Sequence, residues 1–405
     1  MQNTTIDKAG LLQELNNEKA LLMTPVMVIL GILMVIGIIG NAMVCFFYSC
    51  KSRQSSNTVF IVAVAVYDLI LCALSIPIEI VDLRFFYIFT NSGACCFMRF
   101  VNYFGGIGSV CMLLVIAGDR YRKICMPFKK QLNVREAKMA GGISVIVSLA
   151  FSWPAFVFYR SVSVDVLTSN GEVLKGSDCT TVRADSYKVY LWIFNGVYLV
   201  CFLISSAVLC VMYCLVGRVL FKHNKSRKRF SSQPTSSTSN SSGTDANLME
   251  IGNESSKSTD KNKYIVNDTT ESKEDATKRI SVFSDVSHKG SNSNEKSQNQ
   301  LDLKTVKYTT MMLVITLVFI ISFLPHLILS LWRAFQNKYE GETLTDAQLV
   351  AFQLGLRSYF LNSAINPFTY GFFNPKFRKF FFITFLPCCR KPSEGSTISS
   401  SSGAT

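Results

Sequence analysis

The stretch Gly118-Asp119-Arg120-Tyr121-Arg122 closes the third long apolar segment of this chain. A charged side chain at or near bilayer depth is unfavourable, by roughly 2.5–3.5 kcal/mol at the centre of a helix. Such a residue is retained where a group inside the protein needs it. An acid beside an arginine at the rim of a membrane-length segment therefore indicates a membrane protein with an internal polar site.

The composition agrees with this interpretation. Of the 405 residues, 49% are hydrophobic and 17% are charged, and 31 are Phe. A helix needs about 20 apolar residues to cross a bilayer. Seven segments meet that length and are predicted to span the membrane: Leu22 to Tyr48, Thr58 to Val81, Cys95 to Ile124, Ala140 to Phe158, Tyr190 to Phe221, Thr309 to Trp332, and Leu349 to Phe373. The expected fold class is an all-α membrane protein, a seven-transmembrane-helix bundle with a short amphipathic eighth helix.

The basic residues predict the orientation of these spans. The chain carries a net charge of +14, and its Lys and Arg concentrate in the segments after spans one, three, five and seven. Basic residues of membrane proteins favour the cytoplasmic side, so the amino terminus is expected outside and the carboxyl terminus inside the plasma membrane. Because the charge sits at the ends of apolar spans, the same excess does not indicate nucleic-acid binding.

The predicted organisation has five parts: an extracellular amino terminus (1–21), spans one to five with their loops (22–222), a third cytoplasmic loop (223–303), spans six and seven (304–373), and an amphipathic helix with a cytoplasmic tail (374–405). The third loop is rich in Ser, Thr, Asn and charge, and is expected to be disordered. Its serines are either phosphorylation sites or part of a plain solvated linker.

Two modifications are predicted from local sequence. Asn3 begins the sequon Asn3-Thr4-Thr5 on the outer side and is a glycosylation acceptor by that pattern. Cys388 and Cys389 follow the basic and aromatic terminal helix, which suits the inner leaflet of the membrane. They are candidates for palmitoylation, the alternative being free cytosolic thiols.

Span three carries a polar stripe. Its members recur at steps of three or four, share one helical face, and are expected to face the bundle interior: Arg99, Asn102, Gly106, Ser109, Leu113, Ile116 and Arg120. The alternative is a packing face with a few tolerated polar residues.

Asp68 stands alone among apolar residues in the middle of span two, and it requires a proton, a cation or a hydrogen-bond donor. Oxygen groups of span three (Ser109) and span seven (Asn362, Ser363 and Asn366) could complete a site for a hard monovalent cation with water. A sodium ion is therefore a candidate ligand. The alternative is a neutral, hydrogen-bonded aspartic acid.

The spans resemble the rhodopsin-like family of G-protein-coupled receptors. The resemblance rests on motifs in several spans, each matched at its own position: Gly40-Asn41, Asp68, Asp119-Arg120-Tyr121, Trp153, Phe319, Pro325 and Asn366-Pro367-Phe368-Thr369-Tyr370. It implies a receptor that activates a heterotrimeric G protein and is regulated by arrestin and receptor kinases in a lipid membrane. It implies no enzyme activity and no cofactor apart from the candidate sodium ion.

The resemblance also assigns roles to residues. The residues implied in the G-protein switch are Asp119, Arg120, Tyr121, Tyr213, Asn366, Pro367 and Tyr370. Cys95 lies at the family position for a disulfide to the second outer loop, with Cys179 as its partner and Cys96 as a less favoured donor. The residues implied in ligand binding are Arg99, Asn102, Tyr103, Phe323, His326, Arg333, Leu356 and Phe360.

Three positions depart from the family pattern. Phe323 replaces the usual tryptophan of span six, and Ser205 replaces the usual proline of span five. Thr305 lies where many relatives carry an acid that pairs with the switch arginine. Asp119 is therefore the expected sole partner of Arg120.

The ligand is expected to be a neuropeptide. The segment from Ser163 to Leu174 alternates around Asn170-Gly171, which predicts a β-hairpin, a feature common above the open pockets of peptide receptors. Mixed charges are expected at the mouth, among them Glu79 and Arg357, which could bind a peptide or only neutralise each other. Receptors for amines carry an aspartate where this chain has Asn102, and opsins carry a lysine where it has Phe360. These two differences disfavour an amine ligand and a retinal ligand.

A different class, a membrane transporter, is the competing interpretation. Transporters often show paired repeats with broken helices around a continuous polar path. This sequence shows no repeat, and its intramembrane polar residues form two separate sites. An amine receptor or another small-molecule receptor of the same fold is the second alternative.

Overall fold

The computed structural model describes residues 2–168, 171–182, 185–231, 305–333 and 344–385. Six of its helices are long and apolar enough to cross a membrane, and we number them spans one to six: Thr24–Lys51, Ser56–Arg84, Ser92–Cys125, Val134–Phe158, Val189–Lys222 and Thr305–Arg333. Span five belongs to a longer helix, Asp185–Ser231. The predicted all-α class with helical spans is confirmed.

Span seven consists of two shorter helices, Asp346–Leu356 and Phe360–Phe373, where the sequence predicted one continuous helix. Between them the amides of Arg357 and Ser358 donate to carbonyls three residues back, at 3.1 and 3.2 Å. This tighter turn interrupts the helix beside Arg357, whose side chain points into the bundle towards acids of span two.

Side-chain caps set several helix starts. Asn133 and Glu136 form a reciprocal capping box at the start of span four, and Thr345 and Gln348 form another at the start of span seven. Ser55 caps span two through the amide of Thr58. Each cap satisfies backbone donors that have no partner inside the helix.

The predicted hairpin is confirmed and is longer than expected. Strand β1, Tyr159–Leu167, pairs antiparallel with strand β2, Val173–Thr181, with Leu167 opposite Val173. Gly171 adopts φ +79°, a left-handed conformation that glycine accepts without a Cβ clash. The segment after span two joins this sheet, because Phe89 and Tyr87 exchange backbone hydrogen bonds with Ser177 at 3.0 and 2.7 Å.

A helix precedes span one and packs on the hairpin end of the bundle. It covers Gln2–Leu22, and its Asn16 is fully buried. The Asn16 side chain donates to the carbonyl of Arg84 and accepts from the amide of Tyr87. Asn3 lies in this helix, but its side chain is outside the described part of the chain.

The opposite end of the bundle carries the terminal helix Pro375–Phe385. Asn374 caps it and also donates to the Tyr48 hydroxyl at 2.7 Å, and Phe377 packs edge-on against Phe47. Cys388 and Cys389 lie outside the described residues, as does the predicted third loop beyond Ser231.

The packed interior forms two main apolar clusters. The larger one lies towards the Arg120 end and includes Ile116, Phe319 and Tyr370. The other lies towards the hairpin end and includes Tyr87 and Phe360. The polar stripe of span three faces the interior as predicted, since Ser109 and Arg120 are each 2% exposed.

Candidate functional site

At the end of span three that carries Asp119 and Arg120, Arg120 is held by three neighbours rather than one. Its guanidinium pairs with Asp119 and donates to the side chain of Asn57 in span two. It also lies over the ring of Tyr308 in span six, 4.6 Å from the centroid. The expectation that Asp119 is its sole partner was wrong, because neighbouring helices supply contacts that the local sequence does not show.

The neighbours of Arg120 are themselves linked. The Tyr308 hydroxyl donates to the carbonyl of Asn57 at 3.1 Å. Lys123 donates to Asp119 at 2.8 Å and to Asn57 at 3.1 Å. Asp119 thus binds two cations, and spans two, three and six meet at one polar cluster. Sequence reasoning missed Tyr308 and Asn57, although an aromatic residue three positions after Thr305 was the available signal.

The other predicted switch residues lie on spans three, five and seven. Tyr213 and Tyr370 belong to the same apolar cluster as Ile116, and the Tyr213 hydroxyl accepts from Thr316 at 3.4 Å. Pro367 lies within the second helix of span seven. Tyr121 lines a small apolar groove with span-five residues, including Val208 and Met212.

The central polar site brings Asp68 and span seven together. Asn366 donates to Asp68 Oδ2 at 2.7 Å. Asn41 of span one donates to the carbonyls of Gly37 and Ser363, each at 2.9 Å. Span one, span two and span seven are therefore joined by hydrogen bonds at mid-bundle depth.

Several oxygens of this site have no hydrogen-bond partner among the described residues. They are Asn41 Oδ1, Asp68 Oδ1, Ser109 Oγ, Asn362 Oδ1, Ser363 Oγ and Asn366 Oδ1. All six residues are at most 3% exposed. A buried polar atom without a partner is costly, so this oxygen-rich set fits a hard cation or water.

A cavity of about 640 Å³ lies between this central site and the hairpin. That volume lies within the range of ligand pockets, roughly 300–1,000 Å³. Seven of the eight predicted ligand-binding residues line it: Arg99, Asn102, Tyr103, Phe323, His326, Arg333 and Leu356. Phe360 does not line it and instead packs in the apolar cluster at the hairpin end, while its neighbour Tyr359 faces the cavity.

Four charged residues form an ion quartet in the cavity wall near the hairpin: Glu79, Asp82, Arg99 and Arg357. Arg99 contacts Glu79 at 3.1 Å and Asp82 at 3.8 Å. Arg357 contacts the same two acids at 2.8 and 3.2 Å. Glu79 was expected at the mouth, but it is fully buried, because both arginines and the side chain of Asn102 converge on it. The expected Glu79–Arg357 pair is therefore present, and it is one of four contacts between two acids and two arginines.

The cavity roof is the hairpin. Cys179 of β2 forms a disulfide with Cys95 of span three, as predicted. Cys96 is free, and its thiol donates to the carbonyl of Tyr159 at 2.7 Å. Asp178 lies 3.8 Å from Arg333 of span six, so an ion pair joins the hairpin to the far wall.

Comparisons with known proteins agree with this architecture. Residues 40–370 match the family described as 7 transmembrane receptor (rhodopsin family). The human cholecystokinin receptor type A is 24% identical over 89% of this chain and 80% of its own length. The mouse neuropeptide S receptor is 28% identical over 51% of this chain and 53% of its own. A Gq-coupled rhodopsin of Mizuhopecten yessoensis is 25% identical over 89% of this chain and 59% of its own.

Proposed function

The chain belongs to the rhodopsin family of seven-transmembrane receptors, and from that premise we propose that it is a plasma-membrane receptor which binds an extracellular peptide and activates a heterotrimeric G protein. Members of this family are multi-pass membrane signalling proteins rather than enzymes. The observation that carries the ligand assignment is the cavity under the hairpin, which is lined by charged and polar side chains from several spans.

The orientation follows from the distribution of charge. Lys and Arg concentrate at the Arg120 end of the bundle, and the disulfide lies at the hairpin end. Basic residues favour the cytoplasm and disulfides favour an oxidising compartment. The hairpin and the amino terminus then face outside, and the terminal helix rests on lipid at the inner leaflet.

A peptide fits the cavity better than an amine does. An ammonium ligand needs a carboxylate that is free to pair with it, but Glu79 and Asp82 already pair with two arginines. Asn102, at the position where amine receptors carry their acid, is a neutral amide that donates to Glu79. The similarity to cholecystokinin and neuropeptide S receptors supports the same class of ligand.

Arg120 is the residue proposed to couple the ligand to the G protein. It is buried and is held by spans two, three and six. A conformational change that separates these spans frees the Arg120 guanidinium at the cytoplasmic end. Arrestin and receptor kinases are proposed to act at the same end, where the third loop and the tail offer Ser and Thr.

The central oxygen cluster is proposed to hold a sodium ion. Asp68 would supply the charge, and Ser109, Asn362, Ser363 and Asn366 would supply neutral oxygens. Bound there, the ion supplies positive charge to a buried carboxylate. The chain's own part is to hold that carboxylate in place through the hydrogen bond from Asn366.

The decisive experiment is a peptide-library screen on membranes from cells that express the chain, read out as guanine-nucleotide exchange on added purified G protein. Arg120→Ala should reach the cell surface and lose most of the response, since Lys123 remains to pair with Asp119. The matched control is Arg122→Ala, because this arginine lies two residues after Arg120 and contacts a loop carbonyl. Ligand uptake without nucleotide exchange would support a transporter instead, and full signalling by Arg120→Ala would exclude Arg120 as the coupling residue.

A further inference from the structure

We propose that Asn16 of the amino-terminal helix is a positioning residue of the ligand cavity, although it does not line that cavity. Asn16 holds the turn that carries Phe86 in the cavity wall and that joins Tyr87 to the hairpin. This inference rests on the proposed peptide-receptor function. It adds a residue outside the seven spans to those that determine how strongly a peptide activates the receptor.

The amino-terminal helix packs on the bundle along one face. Leu11, Leu12 and Leu15 pack against the apolar cluster at the hairpin end. Asn16 follows Leu12 by four residues and therefore shares this face. It is fully buried, whereas the adjacent Asn17 is exposed. A buried amide within an apolar face requires hydrogen-bond partners in the element that covers it.

Asn16 finds these partners in the backbone at the end of span two. Its Nδ2 donates to the carbonyl of Arg84 at 3.2 Å, and its Oδ1 accepts from the amide of Tyr87 at 3.0 Å. Residues 85–87 form a turn between these two groups. One side chain therefore holds both ends of the turn in place.

The same turn is joined to the hairpin on its other side. The Tyr87 carbonyl accepts from the amide of Ser177 at 2.7 Å, and the amide of Phe89 donates to the Ser177 carbonyl at 3.0 Å. A Cβ added at Gly176 would lie 2.7 Å from the Tyr87 carbonyl oxygen, so the two backbones are in close contact. The turn thus lies between Asn16 and strand β2, and it can shift only by breaking contacts on one side.

The turn and the strand both carry residues of the cavity wall. Phe86, next to Tyr87, lines the cavity, and so does Asp178, next to Ser177. Asp178 also lies 3.8 Å from Arg333 on the far wall. A displacement of the turn would therefore change the shape of the wall at Phe86 and at Asp178.

Two ion pairs at the surface also hold the amino-terminal helix. Lys8 contacts Glu172 of the hairpin at 2.5 Å, and Lys19 contacts Asp346 at the start of span seven at 2.8 Å. Ion pairs at the surface contribute little, whereas a buried donor that loses its partner incurs its full desolvation cost. Asn16, which satisfies the buried amide of Tyr87, is therefore the contact that fixes the turn.

The test compares Asn16→Leu, which removes both hydrogen bonds, with Asn17→Leu as the matched control. The probe is the synthetic peptide that is most active in the library screen, and the readout is nucleotide exchange per surface receptor. Asn16→Leu should raise the half-maximal peptide concentration about 10-fold without lowering maximal exchange, because a receptor that holds the turn in place a tenth of the time binds about 10-fold more weakly. A loss of folding alone would lower the number of receptors at the surface without changing the potency of those that remain.

Gly176→Ala disturbs the same turn from the hairpin side. Its Cβ must displace the Tyr87 carbonyl, so this variant should also raise the half-maximal concentration. If both residues act through the turn, the double variant should lose much less potency than the product of the two single losses. A loss equal to that product would mean that the two residues act independently, and it would overturn the inference. Gly176→Ala also tests the turn by itself if Asn16→Leu does not reach the surface.

Hydrogen exchange of the full-length receptor without peptide gives an independent measurement. The amides of residues 85–89 should exchange about 10-fold faster in Asn16→Leu than in wild type or Asn17→Leu, since the turn loses its hydrogen bonds on one side. Equal exchange, or equal potency of a surface-expressed Asn16→Leu receptor, would overturn the positioning role and leave the peptide receptor intact. Silence of the whole peptide library would contradict the peptide-receptor proposal, and the exchange rates alone would then support or overturn the role of Asn16.

Discussion

The guanidinium of Arg120 lies 4.6 Å from the centroid of the Tyr308 ring, so spans three and six are joined by a cation–π contact. Thr305, three residues earlier in span six, is uncharged. In this chain the aromatic ring provides span six with a contact to the arginine. The contact keeps Arg120 inside the bundle, where it is 2% exposed.

Replacing Tyr308 by Leu should therefore raise ligand-independent nucleotide exchange. A cation–π contact contributes roughly 0.5–2 kcal/mol, so the population that releases Arg120 should rise about 2- to 30-fold. The measurement is basal exchange on a purified G protein, normalised to surface receptor. Tyr308→Phe retains the ring and loses only the hydroxyl bond to Asn57, so it should change basal exchange much less. Basal exchange in the Leu variant equal to wild type would contradict the role of the ring.

The disulfide gives a second prediction. Cys95→Ser or Cys179→Ser should lower the free energy of unfolding by on the order of 2–5 kcal/mol, since the bridge tethers the hairpin to span three. Thermal unfolding of the detergent-solubilised receptor measures the loss. Cys96→Ser is the matched control, because a hydroxyl can replace the thiol as donor to Tyr159. A comparable loss in the Cys96 variant, or a Cys96–Cys179 link in non-reducing peptide maps, would contradict the assignment.

The sodium site gives a third prediction. A ligand that binds only the folded state stabilises it by mass action. Sodium should therefore raise the unfolding temperature of the wild-type receptor relative to a bulky organic cation at equal ionic strength. Asp68→Asn keeps the shape and removes the charge, so it should abolish this increase and should also abolish any sodium effect on agonist affinity. An identical sodium response in both proteins would mean that Asp68 is a structural group that does not bind the ion.

The contact between spans one and seven gives a fourth prediction. A Cβ added at Gly40 would lie 2.6 Å from Pro367 Cγ, and the rigid ring cannot move aside cheaply. Gly40→Ala should therefore destabilise the receptor by roughly 1–3 kcal/mol, the usual cost of overpacking. Gly31→Ala, on the same helix with open space at its Cβ, should be neutral or slightly stabilising. Equal thermal stability of the two variants would contradict this account of Gly40.

Much of the candidate site was predictable because its signals are local. Asp119 and Arg120 are adjacent in sequence, and Asp68 is the one charged residue in the middle of span two. The stripe from Arg99 to Arg120 follows the helical period, and Asn170-Gly171 marks a hairpin between alternating segments. The helical period reveals the stripe, and the alternation with its Asn-Gly turn reveals the hairpin. Each signal lies within a single segment of the sequence.

Other features depend on distant segments and could not be read in this way. The quartet joins Glu79 and Asp82 of span two to Arg99 of span three and Arg357 of span seven. Glu79 and Asp82 lie one helical turn apart, which shows a shared face but not its partners. The break in span seven at Arg357 has no proline beside it, and Gly355, two residues earlier, is a weak signal because a single glycine is tolerated inside a helix.

The sequence by itself determined the membrane class, the helical spans and the family, because hydrophobic length and a few charged motifs are properties of single segments in contact with lipid. The tertiary structure decided which buried groups are partners: Tyr308 with Arg120, Asn366 with Asp68, and two arginines with two acids in the cavity wall. The physical reason is that a buried charge or polar group must be satisfied within the bundle. Its partner is selected by distance across neighbouring helices, and this distance exists only once the helices have packed.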